Sequence, residues 1–407
     1  MRHFRFILIP AVLFLLPGYG QAGWVQQPSG TTANLRRVYF INPQTGWAAG
    51  TGNLVLRTTD GGAIWEQHSC ELSIIPKLYF RDSLNGFVGS NNSLYRSSDG
   101  GISWQLISQS FPGISSLVFI TPLKGWLVCA MAHSGDGGEG FLYQSTDGGL
   151  TWALRDSSWG FMYCDVAFAD TLFGMVTTDN HAVVNLISTG YMKRTTNGGA
   201  TWDTLNYGSC AYGFLRFRSP NYAWRSWHIY VPGGPYYSGV QKTTNRGVSW
   251  SYIWSGDPEA LTIPDTLNGW VLNYLDTLFD THDAGSSWSW QVFPGRYFND
   301  LFFVDSLNGW LVGYDGLILH TTDGGSGVEV FPSHESRLTA YGVSPNPFTS
   351  FARVPGRSSD RFCLYDISGR RVGVYRGDRI GEGLVPGVYF IRSLDGKDKP
   401  MRIVKVR

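Results

Sequence analysis

Acidic side chains are the residues of this 407-residue chain that could support catalysis. Hydrolysis of a glycosidic bond needs two carboxylates that face each other across a cleft, one as the acid and the other as base or nucleophile. The candidates are Asp136, Glu139, Asp156, Asp165 and Asp179, but no spacing among them defines a particular constellation. Hydrolysis is therefore kept as an alternative, and we predict that the protein is not an enzyme.

Aromatic side chains offer a different chemistry, because exposed rings stack on sugars or anchor a protein partner. Trp159 and Trp227 are two of the sixteen tryptophans and have no place in the repeats described below. The candidate ligand-binding residues of this aromatic-rich region are Trp159, Phe161, Tyr163, Trp227, His228, Tyr230, Tyr236 and Tyr237. The sequence leaves open whether these side chains are exposed or pack the surrounding loops onto each other.

Metal, cofactor and nucleic-acid sites have little support in the sequence. No Cys-x-x-Cys or His-x-x-x-His spacing indicates zinc, and we predict no cofactor. A net charge of +1 with 15% charged residues lacks the basic face that nucleic acids require. Cys164 and Cys210 are one candidate disulfide, but the pairing stays open among the five cysteines Cys70, Cys129, Cys164, Cys210 and Cys363.

A short phrase that recurs seven times defines the elements that must position these residues. Its first copy is the stretch TTDGGAIW at residues 58–65, and copies follow at intervals of 38 to 50 residues. The Asp or Asn at the third position of each copy is Asp60, Asp99, Asp147, Asn197, Asn245, Asp283 or Asp323. Self-similarity at this period is typical of a β-propeller.

A second repeat runs in phase with the first. An apolar strand ends in a residue such as Phe40. Seven residues later comes the residue that follows the glycine of a Gly-aromatic pair, such as Trp47. Each repeat divides into four short strands separated by turns rich in Gly, Asn and Asp. At roughly 44 residues per repeat, this pattern predicts an all-β fold with a seven-bladed β-propeller over residues 23–327.

The closure of the ring can be predicted from one missing tryptophan. Six of the seven phrases end in Trp, and the copy at Asp323 does not. The orphan strand that begins at Trp24 resembles the strand that begins at Trp65. We therefore predict that Trp24 supplies the missing outer strand of the last blade.

The acidic residue of the phrase has a structural explanation. An Asp side chain accepts hydrogen bonds from the next backbone N–H groups, and the two glycines adopt left-handed backbone without strain. Asn197 and Asn245 can form the same turn without a charge. We therefore predict structural turns rather than metal sites.

Three consecutive blades are longer than the others, and the additional residues fall in the same loop. They are residues 130–141, 178–190 and 226–239, between the second and third strands of blades three, four and five. This loop opens on the face opposite the repeated phrases, and insertions on one face often build a binding surface. We therefore place the candidate ligand site there.

The two ends of the chain differ from the repeats. Residues 1–22 combine a basic start, an apolar run and the small-x-small sequence Gly20-Gln21-Ala22, which predicts a secretory signal peptide. No other apolar run is long enough for a membrane span. Residues 328–341 are a predicted linker, and residues 342–407 have the short strands of a small Ig-like β-sandwich.

The repeats resemble a known group of proteins. The phrase is similar to the Asp-box of bacterial neuraminidase (BNR) repeats. Its pairing with Phe-x-Asp-x-x-x-Gly-Trp resembles the Ycf48-like photosystem II assembly factors over residues 24–330. The resemblance implies a seven-bladed propeller rather than photosynthesis. An Asp-box sialidase would begin with Arg-Ile-Pro, where this chain has Thr262-Ile263-Pro264.

The C-terminal part resembles the type A sorting domain of the type IX secretion system. The residues that carry this resemblance are Pro345, Asn346, Pro347, Gly369, Gly387, Tyr389 and Lys405. The resemblance implies an export tag that the type IX secretion machinery recognises as its partner. Whether the tag is cleaved or anchors the protein stays open.

Together these patterns predict a non-catalytic propeller that reaches the exterior or the outer-membrane surface through the periplasm. Its expected role is to bind a glycan or a protein ligand. An extracellular glycoside hydrolase and an assembly factor for a membrane complex are the alternatives.

Overall fold

The computed structural model describes residues 23–90, 92–133, 138–180, 190–206, 211–229, 237–273, 277–293, 295–325, 349–352, 361–366, 371–376, 379–393 and 401–405. Tertiary contacts divide the chain into two compact units, residues 1–329 and 330–407. The predicted signal peptide and linker lie outside the described residues. In the described part, no helix is long and apolar enough to cross a membrane.

The strands of the first unit form seven four-stranded antiparallel sheets, which confirms the predicted seven-bladed, all-β propeller. The first strand in the chain is β1 (Trp24–Gln26). Blade one contains β2 (Leu35–Phe40), β3 (Gly46–Gly50), β4 (Leu54–Thr58) and β5 (Glu66–Ser69). Blade two contains β6 (Lys77–Phe80), β7 (Gly86–Gly89), β8 (Leu94–Ser97) and β9 (Gln105–Ser108). Blade three contains β10 (Ile114–Phe119), β11 (Gly125–Ala132), β12 (Gly138–Ser145) and β13 (Ala153–Trp159).

The remaining blades continue in the same order. Blade four contains β14 (Met162–Phe168), β15 (Gly174–Asp179), β16 (Tyr191–Thr195) and β17 (Asp203–Asn206). Blade five contains β18 (Ala211–Ser219), β19 (Tyr222–Ile229), β20 (Tyr237–Thr243) and β21 (Ser251–Ser255). Blade six contains β22 (Pro258–Thr262), β23 (Gly269–Asn273), β24 (Thr277–Thr281) and β25 (Ser289–Val292). Blade seven contains β26 (Phe298–Phe303), β27 (Gly309–Gly313) and β28 (Ile318–Thr321), with a 3-10 turn at Tyr314–Gly316.

The constant seven-residue spacing of the second repeat has a packing explanation. Phe80, at the end of the first strand of blade two, stacks on Trp47 of blade one at a centroid distance of 3.5 Å and an interplanar angle of 3°. Phe80 also packs edge-to-face with Trp104 of its own blade, with ring centroids 6.0 Å apart and an interplanar angle of 77°. The Gly-aromatic residue of one blade thus packs against the strand end of the next. The edge-to-face pair of Phe80 and Trp104 is a favourable aromatic geometry.

Trp24 takes the position in blade seven that Trp104 has in blade two. β1 pairs antiparallel with β28, with Trp24 opposite Thr321, and completes the seventh sheet. The indole is fully buried and meets Phe303 edge-on at 5.7 Å and 89°. The first strand in the chain therefore joins the last blade and closes the ring.

The repeated phrase forms the same hydrogen-bonded turn in blades two and four. In blade two, Ser97 Oγ donates to Asp99 Oδ1 at 2.8 Å, and the N–H of Gly101 donates to Ser97 Oγ at 2.8 Å. In blade four, the N–H of Thr201 donates to Oδ1 of Asn197 at 2.9 Å. The carboxylate of Asp and the amide of Asn thus have the same structural role, because each supplies one acceptor oxygen to the turn.

The second unit contains a single described sheet. Its strands are β29 (Arg361–Asp366), β30 (Arg371–Arg376), β31 (Gly387–Ser393) and β32 (Met401–Lys405), in the order β30-β29-β31-β32. Its buried core is formed by Ala352, Phe362, Leu364, Ile380, Tyr389 and Ile391. The Ig-like sandwich stays a prediction, because the described strands account for one sheet.

Candidate functional site

The insertions lengthen hairpins more than loops. β11 and β12 of blade three stay paired as far as Ala132 and Gly138, over eight positions, whereas β7 and β8 of blade two have four. β19 and β20 of blade five are paired as far as Ile229 and Tyr237. The predicted long loops must therefore be corrected in blades three and five, where backbone hydrogen bonds to a neighbouring strand order much of each insertion. Residues 181–189 of blade four are outside the described part.

Trp159 lies on the surface that these longer strands create. It ends β13, the outer strand of blade three, and is 68% exposed. Its indole stacks on the imidazole of His133 with centroids 5.3 Å apart and an interplanar angle of 25°. Nε2 of His133 is 3.6 Å from Oε1 of Glu139, which is the register partner of Trp159 on β12. Trp159, His133 and Glu139 form what we call the blade-3 platform.

Two neighbouring candidates have structural roles. Tyr163 is fully buried, and its hydroxyl donates to Oδ2 of Asp156 at 2.7 Å. Burial, followed by the hydrogen bond to Asp156, raises the pKa of Tyr163 well above its usual range. Phe161 is half-buried and packs edge-on against Tyr191 at 4.9 Å. Tyr163 therefore packs inside the propeller in this structure, and a ligand contact by its ring stays a prediction.

Trp227 is buried as well. It is 8% exposed and belongs to the core cluster between blades four and five. Its ring meets Tyr252 of β21 at 5.0 Å and 70°. Trp159 is thus on the surface and Trp227 packs the fold, which answers differently for the two residues the question that the sequence left open.

The other aromatic candidates are divided between the surface and the part that the structure does not describe. Tyr237 is 52% exposed at the start of β20. His228 is half-buried, with Nε2 at 3.5 Å from Oδ2 of Asp179. Tyr230 and Tyr236 lie outside the described residues. Trp159 and Tyr237 are thus the exposed members of the predicted set.

The acidic residues at equivalent positions of two blades link neighbouring blades. Oδ2 of Asp165 accepts hydrogen bonds from the N–H of Leu215 at 2.9 Å and from Nη1 of Arg216 at 2.8 Å. Oδ2 of Asp300 accepts one from the N–H of Val38 at 3.1 Å. In both cases the carboxylate satisfies a backbone donor in the first strand of the next blade. This explains why both residues precede the strand-end phenylalanine by three positions.

The remaining carboxylate candidates also have partners. Oδ2 of Asp156 accepts hydrogen bonds from Lys193 and from the hydroxyl of Tyr163. Glu139 and Asp179 each lie beside a histidine, as described above, and Asp136 is outside the described residues. No group of three or more His, Cys, Asp or Glu side chains in the described ranges could hold a metal ion.

The centre of the propeller contains a cavity of about 650 Å³ that the first strand of every blade lines. Its charged lining residues are Arg37, Lys77, Asp165, Arg216, Arg218, Glu259 and Asp300. Burial, and next the repulsion by Arg37, lower the pKa of Lys77 to about 8. Burial raises the pKa of Glu259 and of Asp300. We call this cavity the central channel.

The cations of the central channel were not among the candidate residues that the sequence predicted. Arg37 and Lys77 stand three residues before Phe40 and Phe80, which is the repeat position that Asp165 also occupies. This register could have identified them, since the first strands of all propeller blades surround a common axis.

The cysteines do not form the candidate disulfide. Cys164 is a free thiol, as are Cys70, Cys129 and Cys363. Burial raises the pKa of Cys164 well above its usual value. Cys210 lies outside the described residues.

Comparisons with known proteins agree with the fold. Residues 17–153 match the sequence profile of the family described as photosynthesis system II assembly factor YCF48. A structure of YCF48 bound to D1 peptide superimposes with a TM-score of 0.52 at 17% identity, over 75% of this chain and 98% of that one. YCF48 from Cyanidioschyzon merolae gives a TM-score of 0.52 at 18% identity, over 74% and 98%.

An ancestral GH74 enzyme is also similar in fold. Its TM-score is 0.53 at 12% identity, over 93% of this chain and 63% of that one. No curated protein matches the sequence. At these identities the likeness extends to the fold and not to the activity. The first unit of this chain is therefore a β-propeller that is similar in fold to the YCF48 structures.

Proposed function

We propose that this protein is a non-catalytic propeller that binds a protein partner, by an extended peptide segment, on the blade-3 platform. The observation that carries the proposal is Trp159, which is 68% exposed although it is stacked on His133. A large ring that is exposed and already immobilised loses little conformational entropy when a ligand covers it. Interface anchors have this property.

The outer strand of blade three favours an extended ligand. β13 has seven residues, whereas the outer strands β9 and β25 of blades two and six have four each. It is the terminal strand of its sheet. The free edge of a strand can add a peptide through backbone hydrogen bonds. The YCF48 structure with bound D1 peptide supports a peptide ligand for a propeller of this fold.

The test uses the protein from residue 23 onwards as the target for selection of peptides from a displayed library. The affinity of the selected peptides is then measured by fluorescence anisotropy. Trp159→Ala is expected to weaken the selected peptides by roughly 1–3 kcal/mol, as for an interface anchor. Trp290→Ala is the matched control, because Trp290 is 50% exposed on β25 of blade six. An unchanged affinity in Trp159→Ala, or an equal loss in both variants, would contradict the proposal.

A glycan array on the same two variants decides between ligand classes. Stacking on an exposed indole also suits sugars. If glycans bind and lose affinity in Trp159→Ala, and no peptide is selected, the ligand of the blade-3 platform is a glycan and not a protein.

We also propose that the protein is exported through the type IX secretion system after removal of a signal peptide, and that it acts at the cell surface or beyond. Three sorting-signal residues support this. Gly387 and Tyr389 lie on β31, and Gly387 is paired with Lys405 on β32, so one hairpin contains them. Tyr389 is buried and its hydroxyl donates to the carbonyl of Val385 at 2.9 Å. Pro345, Asn346, Pro347 and Gly369 lie outside the described residues.

Deletion of residues 341–407 tests the export proposal by cell fractionation. The truncated chain is expected in the periplasm, because it lacks the tag. Arg379→Ala is the control, since its ion pair with Glu382 is exposed and this variant should be exported normally. Truncated protein outside the cell in normal amounts would rule the tag out.

A further inference from the structure

The central channel is a second site, separate from the blade-3 platform. Its volume of about 650 Å³ lies within the range of small-molecule sites. Part of its charge is already neutralised, because Arg216 and Asp165 are paired at 2.8 Å. The other charged groups determine what the channel can accept.

Two cations face the channel from neighbouring blades. Arg37 belongs to the first strand of blade one, and Lys77 begins the first strand of blade two. Nη1 of Arg37 donates to the carbonyl of Arg36 at 2.7 Å, which leaves its other donors for a ligand. Within the described ranges, the ammonium of Lys77 makes no hydrogen bond or ion pair.

The pKa of Lys77 shows that these two cations repel each other. Burial lowers it most and Arg37 lowers it next, while Asp165 and Asp300 each raise it by less than Arg37 lowers it. Arg216 also lowers it. Two neighbouring like charges are unfavourable, and an anionic ligand bound to both would relieve the repulsion.

The blades on either side of the two cations supply acceptors. Glu259 in blade six and Asp300 in blade seven line the channel, and Ser115 and Ser116 of blade three offer hydroxyl groups. Carboxylates accept hydrogen bonds from ligand hydroxyls. A ligand that fits the cations and these neighbouring acceptors has an acid group with hydroxyl groups close to it.

We propose that the central channel binds a small hydroxylated carboxylate, of the uronic-acid type, whose carboxylate contacts Lys77 and Arg37 while its hydroxyls donate to Glu259 and Asp300. Arginine and lysine together form charge-assisted hydrogen bonds with a carboxylate. The aromatic wall next to the cations, where Tyr39 contacts Tyr79 at 5.5 Å and Phe302 at 5.1 Å, provides a face for the sugar ring.

Isothermal titration calorimetry of the full chain with glucuronate and with glucose tests this site at pH 7. The two probes differ by the acid group. Glucuronate is expected to bind at least tenfold more tightly than glucose. Lys77→Met should weaken glucuronate by at least tenfold. Lys124→Met is the control, because Lys124 lies in the turn between β10 and β11, and it should leave the affinity unchanged.

A pH series on the unmodified protein gives a test that does not depend on whether a variant folds. Because the free Lys77 has a pKa of about 8, the affinity for glucuronate should fall as the pH rises above 8. Arg37, Arg216, Asp165 and Asp300 are the charged groups that act on Lys77, and the carboxylate of glucuronate is ionised throughout this range. Equal binding of glucose and glucuronate, an affinity unchanged in Lys77→Met, or an affinity independent of pH between 7 and 10 would each overturn the proposal. Trp159→Ala should leave the glucuronate affinity unchanged, which separates this site from the platform.

Discussion

Blades two and three have the same turn structure at one end and hairpins of different length at the other. At the end with the repeated phrase, the N–H of Gly101 donates to Ser97 Oγ, and the N–H of Gly149 donates to Ser145 Oγ, both at 2.8 Å. At the opposite end, the central hairpin has four paired positions in blade two and eight in blade three. The repeat thus constrains one face, and the other is free to carry different residues. Trp159, which the repeat does not explain, is on the variable face.

The largest effect that this comparison predicts is at the closure of the ring. Trp24→Ala should lower the free energy of unfolding of the propeller by roughly 3–5 kcal/mol, because a fully buried indole leaves a cavity. Val25→Ala is the control on the same strand, since Val25 is 42% exposed and should change the stability little. Chemical denaturation of both variants measures the difference. Equal midpoints would show that β1 does not contribute to the ring.

Trp159 and Trp227, which both lie outside the repeat positions, should behave differently. Trp227→Ala should cost about 3 kcal/mol of stability, because Trp227 packs in the core between blades four and five. Trp159→Ala should change the stability by less than about 0.5 kcal/mol, as exposed substitutions usually do. Thermal unfolding of the two variants checks this. A large loss in Trp159→Ala would mean that the blade-3 platform is structural.

The link between blades four and five should have an intermediate effect. Asp165→Asn removes the charge that Arg216 and the N–H of Leu215 face, and should destabilise the protein by roughly 1–3 kcal/mol. Asp300→Ala, at the equivalent position between blades seven and one, should also destabilise, because it removes the acceptor of the N–H of Val38. Urea titration measures both. Wild-type stability in both variants would remove the structural explanation of this repeat position.

The smallest effect is expected at a repeated turn. Hydrogen bonds from Thr151 lower the pKa of Asp147 to about 2. Because this pKa is below that of the unfolded chain, the carboxylate adds stability above about pH 4 and loses it as the pH falls through 2. Asp147→Asn should cost less than about 1 kcal/mol at pH 7, since the group is solvent-screened.

The cost of Asp147→Asn should disappear near pH 2, which thermal unfolding at several pH values would detect. Asn197 and Asn245 show that the amide is compatible with the turn. A cost that stays constant between pH 2 and pH 7 would contradict the assignment of the effect to the charge.

Much of the fold follows from the sequence because it depends on local and repeated signals. The period of the Asp-box and the seven-residue spacing from Phe40 to Trp47 report strand lengths and turns that each blade repeats. The absence of one tryptophan in the last copy located the partner of Trp24. Because the repeats show the same contact several times, one sequence was sufficient to predict the fold.

The candidate sites could not be located from the sequence alone, because their residues occur once and are not repeated from blade to blade. Trp159 lies in the segment that enters blade four, next to the insertions, and Trp227 lies within one of them, and the sequence does not distinguish their exposure. The first ends a terminal strand and faces solvent, whereas the second packs between two sheets. The channel cations Arg37 and Lys77 belong to different blades, separated along the chain, and approach each other because the ring brings all first strands to one axis. Exposure and electrostatic proximity depend on contacts between distant segments, and only the folded ring determines those contacts.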